Sequence, residues 1–209
     1  MMFVKICGLT NAEDALCAVD AGADLLGFIL YPPSPRSVSL ETVKEIVATL
    51  QGATHITKIG VFVKETPAHM LRVLRETGLD AAQLHGNDPS DLLALNGRAY
   101  PALKEWKPEY DGLQHRKSEI VNLPDLLLDA NHPTLWGGSG QRADESLAAQ
   151  IAQQQRLLLA GGLTPDNVAD AICVVKPWGV DVASGTEAAP GRKDHDKVRA
   201  FIANAKSAH

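Results

Sequence analysis

Short apolar runs alternate with longer helical patterns from one end of this 209-residue chain to the other. The runs, rich in Val, Leu, Ile and Ala, fall at 3–6, 25–30, 57–63, 81–84, 99–103, 126–129, 157–160 and 180–183. Each is too short for a helix and is bounded by turn residues, so each predicts a strand. Apolar residues three and four apart predict helices over 11–21, 40–50, 67–77, 88–95, 144–154, 165–174 and 194–205. Asn11, Ser39, Thr66 before Pro67, Asp88 before Pro89 and Thr164 before Pro165 supply a capping side chain or a first-turn proline at the starts. The segment 108–122 is more polar, with Gly112 inside it, and completes the alternation as a helix.

Strict alternation requires parallel strands, because each helical crossover returns the chain to the same end of the sheet. About eight units of about 26 residues fit a single (β/α)8 barrel over 1–209, near the lower size limit of that fold. The open, doubly wound alternative lacks its glycine fingerprint after the first strand, where the chain reads Cys7, Gly8, Leu9, Thr10. With only 3 Trp, 3 Tyr and 4 Phe, the core has to be aliphatic, which suits strands buried on both faces.

Several partners are excluded by composition. A net charge of -5 without any Lys or Arg cluster is wrong for a nucleic-acid binder. The longest apolar run, 25–30, falls far short of a membrane span, and no basic segment leads into a signal-length apolar stretch. Three cysteines, Cys7, Cys17 and Cys173, form no CxxC and leave an odd count, as expected of free thiols in a reducing, cytoplasmic compartment.

A barrel gathers its chemistry at the C-terminal ends of its strands. Two glycine turns, Gly161-Gly162 and Ser184-Gly185, follow the seventh and eighth runs, where backbone N–H groups commonly cradle a phosphate; tight turns also need glycine on their own account. Cys7 ends the first run on the same pleat face as Lys5. It is either a base whose thiolate a nearby ammonium favours, with a lowered pKa, or an inert core thiol. Asp129 ends an otherwise apolar run, an environment that raises a carboxyl pKa and suits a general acid, although a cap or loop acid fits the spacing too. Arg36 ends the stiff loop Tyr31-Pro32-Pro33-Ser34-Pro35, and its fork could hold a carboxylate or simply lie on the surface. The cluster 136–140 is a mobile site loop or an ordinary connection. Gln83, His85 and Asp181 lie near the same mouth, but no HxH or HExxH spacing joins them, so no metal is expected.

Taken in order, KICGLT (Lys5 to Thr10), GFIL followed by SPR (Gly27 to Arg36), GVFV (Gly60 to Val63), QLHG (Gln83 to Gly86), LLLDA with Asp129, GGSG, AGGL, and VDVASGTE running on to PGRKD resemble the phosphoribosylanthranilate isomerases across essentially the whole chain. The resemblance implies an Amadori rearrangement of a phosphorylated small-molecule substrate, N-(5-phospho-β-D-ribosyl)anthranilate, in tryptophan biosynthesis, without metal or organic cofactor. It implies Cys7 as general base and Asp129 as general acid. Arg36 would bind the anthranilate carboxylate, Gln83, His85 and Asp181 would line the site, and Gly161, Gly162, Ser184 and Gly185 would hold the phosphate. Two stretches depart from the family pattern: Gln141-Arg142-Ala143-Asp144 replace a lysine and an aromatic-flanked aspartate, and Ala183 replaces a serine. A ribulose-phosphate epimerase or a non-catalytic phosphate-binding barrel would share the fold. The first needs metal-binding His and Asp sets, and the second has no use for both Cys7 and Asp129. Monomer and homodimer are equally compatible with these patterns.

Overall fold

The computed structural model describes residues 2–106, 120–129 and 142–208. In order along the chain run β1 (Phe3–Cys7), α1 (Ala12–Asp20), β2 (Leu25–Ile29), α2 (Leu40–Thr49), β3 (Thr57–Val63), α3 (Pro67–Thr77), β4 (Ala81–His85), α4 (Pro89–Ala94) and β5 (Ala99–Leu103). There follow β6 (Leu126–Asp129), α5 (Arg142–Gln154), β7 (Leu157–Ala160), α6 (Val168–Val175), β8 (Gly179–Val182), β9 (Glu187–Ala189), β10 (Arg192–Lys193) and α7 (His195–Ser207). Strands β1 to β8 form one closed parallel barrel, β1 pairing with both β2 and β8. The expected (β/α)8 architecture is therefore present.

Because successive side chains of a strand point to opposite faces, each strand feeds two cores. Leu25, Ile59, Ala81, Tyr100, Leu127 and Leu158 fill the barrel interior. Their neighbours Leu26, Phe28, Ala82, Leu126, Leu128 and Leu159 face outward, in the core that also holds Ile46, Val73 and Phe201 of the surrounding helices. Truncating one of these buried leucines to alanine costs about 2–5 kcal/mol, the cavity term included. The helices start where their caps direct: Asn11, Ser39, Thr66, Asp88 and Asp194 each accept a backbone N–H from the first turn that follows.

Three local readings need correction. Thr164-Pro165 does not open a helix; α6 starts at Val168. Instead the Thr164 N–H donates to Asn167 Oδ1 and Asn167 Nδ2 donates to the Gly162 carbonyl, so those residues brace the loop after β7. Strand β8 ends at Val182, one residue earlier than expected, because Ala183 turns away (φ -120°, ψ -81°) into a 3-10 turn at Ser184–Thr186. The antiparallel hairpin of β9 and β10 was not anticipated; Pro190 and a left-handed Gly191 (φ 76°) make its turn. Of the helix expected over 108–122, residues 121–122 form a turn and 108–119 lie outside the described residues, as do the cluster 136–140 and Gln141.

Candidate active site

The register of β1 against β8 sets Lys5 beside Asp181, and both side chains face the barrel interior. Lys5 is wholly buried, and its Nζ lies 2.9 Å from Asp181 Oδ1 and 2.9 Å from Gln83 Oε1. Burial alone would push the ammonium down, but the Asp181 carboxylate, helped by Cys7 and Tyr100, more than offsets it and holds Lys5 above the usual lysine range. The Tyr100 hydroxyl, kept protonated by its own burial, donates to the same Gln83 oxygen at 2.9 Å.

Those two donors fix the Gln83 amide: its oxygen faces Lys5 and Tyr100, so its Nε2 must face His85, 2.8 Å away. The amide nitrogen can only donate, and His85 Nε2 must therefore be an unprotonated acceptor, leaving the ring proton on Nδ1. Burial first, and Lys5 second, push the His85 pKa down to about 4. This imidazole is neutral through the working pH range, with one lone pair already engaged.

Cys7 sits two residues beyond Lys5 on the same face, at the end of β1 and buried. Gly27 of β2 makes its room: a Cβ there would stand 2.7 Å from Cys7 Sγ and 3.1 Å from Lys5 Nζ. The lowered pKa expected for Cys7 is not what the site produces. Burial pushes the thiol up, and Lys5 only partly opposes it because Asp181 already balances that ammonium. The sequence shows the neighbouring cation but not the anion, 176 residues away, that neutralises it.

Asp129 ends β6, half-buried, level with Ala160 of β7 and on the inward face shared with Leu127. Next along the mouth come Gly161 and Gly162, both with positive φ (100° and 64°), and Ser184-Gly185. The backbone at Gly185 lies so close to the Leu163 carbonyl that no side chain fits between them, so the loops after β7 and β8 pack directly together. Arg36 comes from the loop after β2, pinned by turns in which Ser34 N–H reaches Tyr31 O and Ser37 N–H reaches Ser34 O. Its fork does hold a carboxylate, and that carboxylate is Glu187: Nε to Oε1 and Nη2 to Oε2, each 2.8 Å.

A cavity of about 700 Å³ opens over β2 to β5, walled by Ile29, Val61, Val63, Ala102 and Leu103 with His85 at its edge. Those apolar walls suit an aromatic ring. A second cleft of about 570 Å³ lies beside the loops after β7 and β8, lined by Thr164, Gly185 and Lys197 together with Asp166, Asp194 and Asp196. Among the described residues no group of three or more His, Cys, Asp or Glu converges as metal ligands. At the mouth the nearest metal donors are engaged, Asp181 by Lys5 and His85 Nε2 by Gln83.

Cys7, Gln83, His85, Asp129 and Asp181 lie on β1, β4, β6 and β8 of the one barrel, and Tyr100, Glu187 and Lys193, absent from the expectations, join them or Arg36. Tyr100 had a signal, since a phenol inside an apolar strand needs a polar partner. For Glu187 and Lys193 the only signal was their place within the SGTE and GRKD motifs.

Residues 4–204 match the family model described as N-(5'-phosphoribosyl)anthranilate isomerase. The chain belongs to this family. A relative from Pelobacter propionicus bearing that name is 46% identical over 207 residues, covering 99% of this chain and 96% of its own. Another from Thermotoga petrophila is 43% identical over 99% of each chain. The crystal structure of the Thermotoga maritima phosphoribosylanthranilate isomerase superposes with a TM-score of 0.81 at 41% identity, covering 99% of this chain and 100% of that one. A second solved isomerase, TM-score 0.81 and 39% identical over the same shares, is a complex with reduced 1-(o-carboxyphenylamino)-1-deoxyribulose 5-phosphate.

Proposed function

We propose that the barrel mouth isomerises N-(5-phospho-β-D-ribosyl)anthranilate to the 1-deoxyribulose 5-phosphate product of tryptophan biosynthesis, with Cys7 as base and Asp129 as acid. The observation that carries this assignment is the placing of one thiol and one carboxyl on inward faces at the ends of β1 and β6, separate walls of one mouth. Asp129 gives its proton to the furanose ring oxygen, the C1'–O bond breaks, and the nitrogen lone pair forms the C=N bond of the Schiff base. Cys7 then takes the C2' proton as a thiolate, and the electron pair left behind makes the enolamine, which tautomerises to the ketone. Acid and base reach different atoms of the ribose, so they need separate walls.

The paired glycine turns after β7 and β8 are assigned to the substrate phosphate, Gly161, Gly162, Ser184 and Gly185 offering backbone N–H groups at the place where this fold builds such sites. Arg36 is assigned to the anthranilate carboxylate, with Gln83, His85 and Asp181 holding the floor. Lys5 sets the charge around Cys7. Burial keeps the Cys7 thiol protonated in the resting site, so the base is formed late; because Asp129 must hold its proton at the same time, kcat/KM should pass through a maximum with pH and fall on the alkaline side. A cytoplasmic location goes with the three free thiols.

Turnover of freshly generated phosphoribosylanthranilate, followed as loss of its fluorescence, tests the activity. Proton transfer does the chemistry here, so exhaustive EDTA treatment should leave the rate unchanged. A loss restored by one divalent ion would point instead to an epimerase-like reaction.

A further inference from the structure

Arg36 and Glu187 meet across 151 residues of sequence, and the geometry of their meeting is specific. A guanidinium has two edges that can each grip a carboxylate, one made by Nε and Nη2 and one by Nη1 and Nη2. Glu187 takes the first edge with both oxygens, at 2.8 Å each. Among the described residues nothing hydrogen-bonds to Nη1, so the second edge is free. Arg36 keeps its side chain 24% exposed, whereas that of Glu187 is only 5% exposed.

The carboxylate is itself held from behind. Lys193, wholly buried, stands 3.6 Å from Glu187 Oε1 and donates to the Ala183 carbonyl at 2.7 Å. The Gly191 N–H reaches the same Oε1 at 3.3 Å. The hairpin of β9 and β10 thus carries Glu187 on one strand and Lys193 on the other, with Gly191 at the turn between them. Two basic side chains share one carboxylate, and burial pushes the Lys193 ammonium down while the more exposed Arg36 stays charged. Glu187 therefore orients Arg36 without cancelling its use to a second anion.

We propose that Glu187, backed by Lys193, is a positioning residue that fixes the Arg36 guanidinium so that its Nη1/Nη2 edge faces the carboxylate of the substrate's aromatic ring. This rests on the assignment of Arg36 to that carboxylate. It gives the SGTE and GRKD motifs a task, and it makes the hairpin part of substrate selection. An aromatic amine that lacks the carboxylate would draw nothing from the arrangement.

Two ligands and five proteins separate the possibilities. The affinities of the wild type, Glu187→Gln, Glu187→Asp, Arg36→Ala and the double variant Arg36→Ala/Glu187→Gln are measured calorimetrically for reduced 1-(o-carboxyphenylamino)-1-deoxyribulose 5-phosphate and for its phenylamino counterpart without the carboxylate. Glu187→Gln should weaken the first by about tenfold, as expected for loss of a charge-assisted bidentate grip, and leave the second unchanged. In turnover it should raise KM far more than it lowers kcat. Added to Arg36→Ala, it should cost nothing more. If Glu187→Gln folds poorly, Glu187→Asp serves. Its carboxylate keeps the charge but is too short for both nitrogens, so it should give a smaller loss, again for the carboxylated ligand alone.

Equal weakening of both ligands would make Glu187 merely structural. Tighter binding of the carboxylated ligand by Glu187→Gln would make Glu187 a competitor rather than a support. If Arg36→Ala weakens that ligand and Glu187→Gln does not, the Arg36 assignment stands and the positioning role fails. If Arg36→Ala changes neither affinity, the assignment of Arg36 itself falls and this inference falls with it.

Discussion

Two groups of charged side chains serve this barrel, one in its interior and one on its rim, and they are balanced differently. In the interior, Lys5 and Asp181 pair one to one, and Gln83, Tyr100 and His85 use their polar atoms on Lys5 or on one another. All hang from strands β1, β4, β5 and β8, so the closed sheet fixes their spacing. On the rim, Arg36 and Lys193 share the single carboxylate of Glu187, and all three come from segments beyond the strand ends. A balanced, dry network holds shape. An unbalanced, partly wet one keeps a charge to offer a ligand.

The contrast predicts that breaking the interior costs stability first. Lys5→Met would leave the Asp181 carboxylate and one lone pair of Gln83 without their cation in a dry core, a loss of about 3–5 kcal/mol in urea unfolding. Adding Asp181→Leu should recover much of that loss, because removing both charges avoids the stranded one. If Lys5→Met unfolds like the wild type, the interior network is ornamental to the fold.

Next in size are the groups proposed as base and acid, which lie at the interior's upper edge but should matter to rate instead. Cys7→Ser and Asp129→Asn should each lower kcat at least about 10²-fold, the lower end for positioned acid–base groups, while far-ultraviolet circular dichroism stays unchanged. A folded variant with near wild-type kcat would move that role elsewhere. His85 is a poor substitute for either, since its Nε2 lone pair is held by Gln83 and its pKa lies near 4.

That depressed value gives the interior a pH signature. An unfolded histidine takes its proton near 6.5, while the folded His85 resists it until about 4. Its contribution to stability is thus complete above about 6.5 and drains away as pH falls towards 4, by at most about 3 kcal/mol. His85→Asn should flatten the stability curve of the wild type across that window. Equal slopes in the two proteins would mean that the ring is more solvated than its surroundings imply.

How far the sequence foretells each group follows from how each is built. Strands β3, β5, β6 and β7 begin and end where the apolar runs do, because a buried parallel strand needs an unbroken apolar run and little else. Period-two alternation then puts Lys5 with Cys7 and Gln83 with His85 on shared faces. Closure of the expected barrel sets β8 against β1, but alternation cannot supply the register that puts Asp181 opposite Lys5. Without Asp181 beside Lys5, the ammonium looks free to lower the Cys7 pKa, and the expectation came out with the wrong sign. The rim was less legible still. Arg36 was recognised as a carboxylate fork, but its partner lies on a hairpin of short strands whose residues show no alternation. Thr164-Pro165 failed for a local reason, since Asn167 captures that turn with its own side chain before the helix begins.

The smallest effect belongs to the rim and sharpens the comparison most. Glu187→Gln should cost less stability than Lys5→Met, about 1–3 kcal/mol, because the glutamine still offers both cations an acceptor, even while it spoils the grip on a carboxylated ligand. Arg36, 24% exposed, can turn its freed edge to water, and Lys193, though buried, keeps the Ala183 carbonyl as an acceptor, so the loss is milder than that of the Asp181 carboxylate left by Lys5→Met. Raising the salt concentration should likewise weaken binding of the carboxylated ligand while leaving the urea midpoint nearly unmoved, because screening reaches the rim and not the barrel interior. If Glu187→Gln instead destabilises the protein as severely as Lys5→Met, the hairpin belongs to the scaffold, and interior and rim are one cooperative network whose free guanidinium edge has no separate purpose.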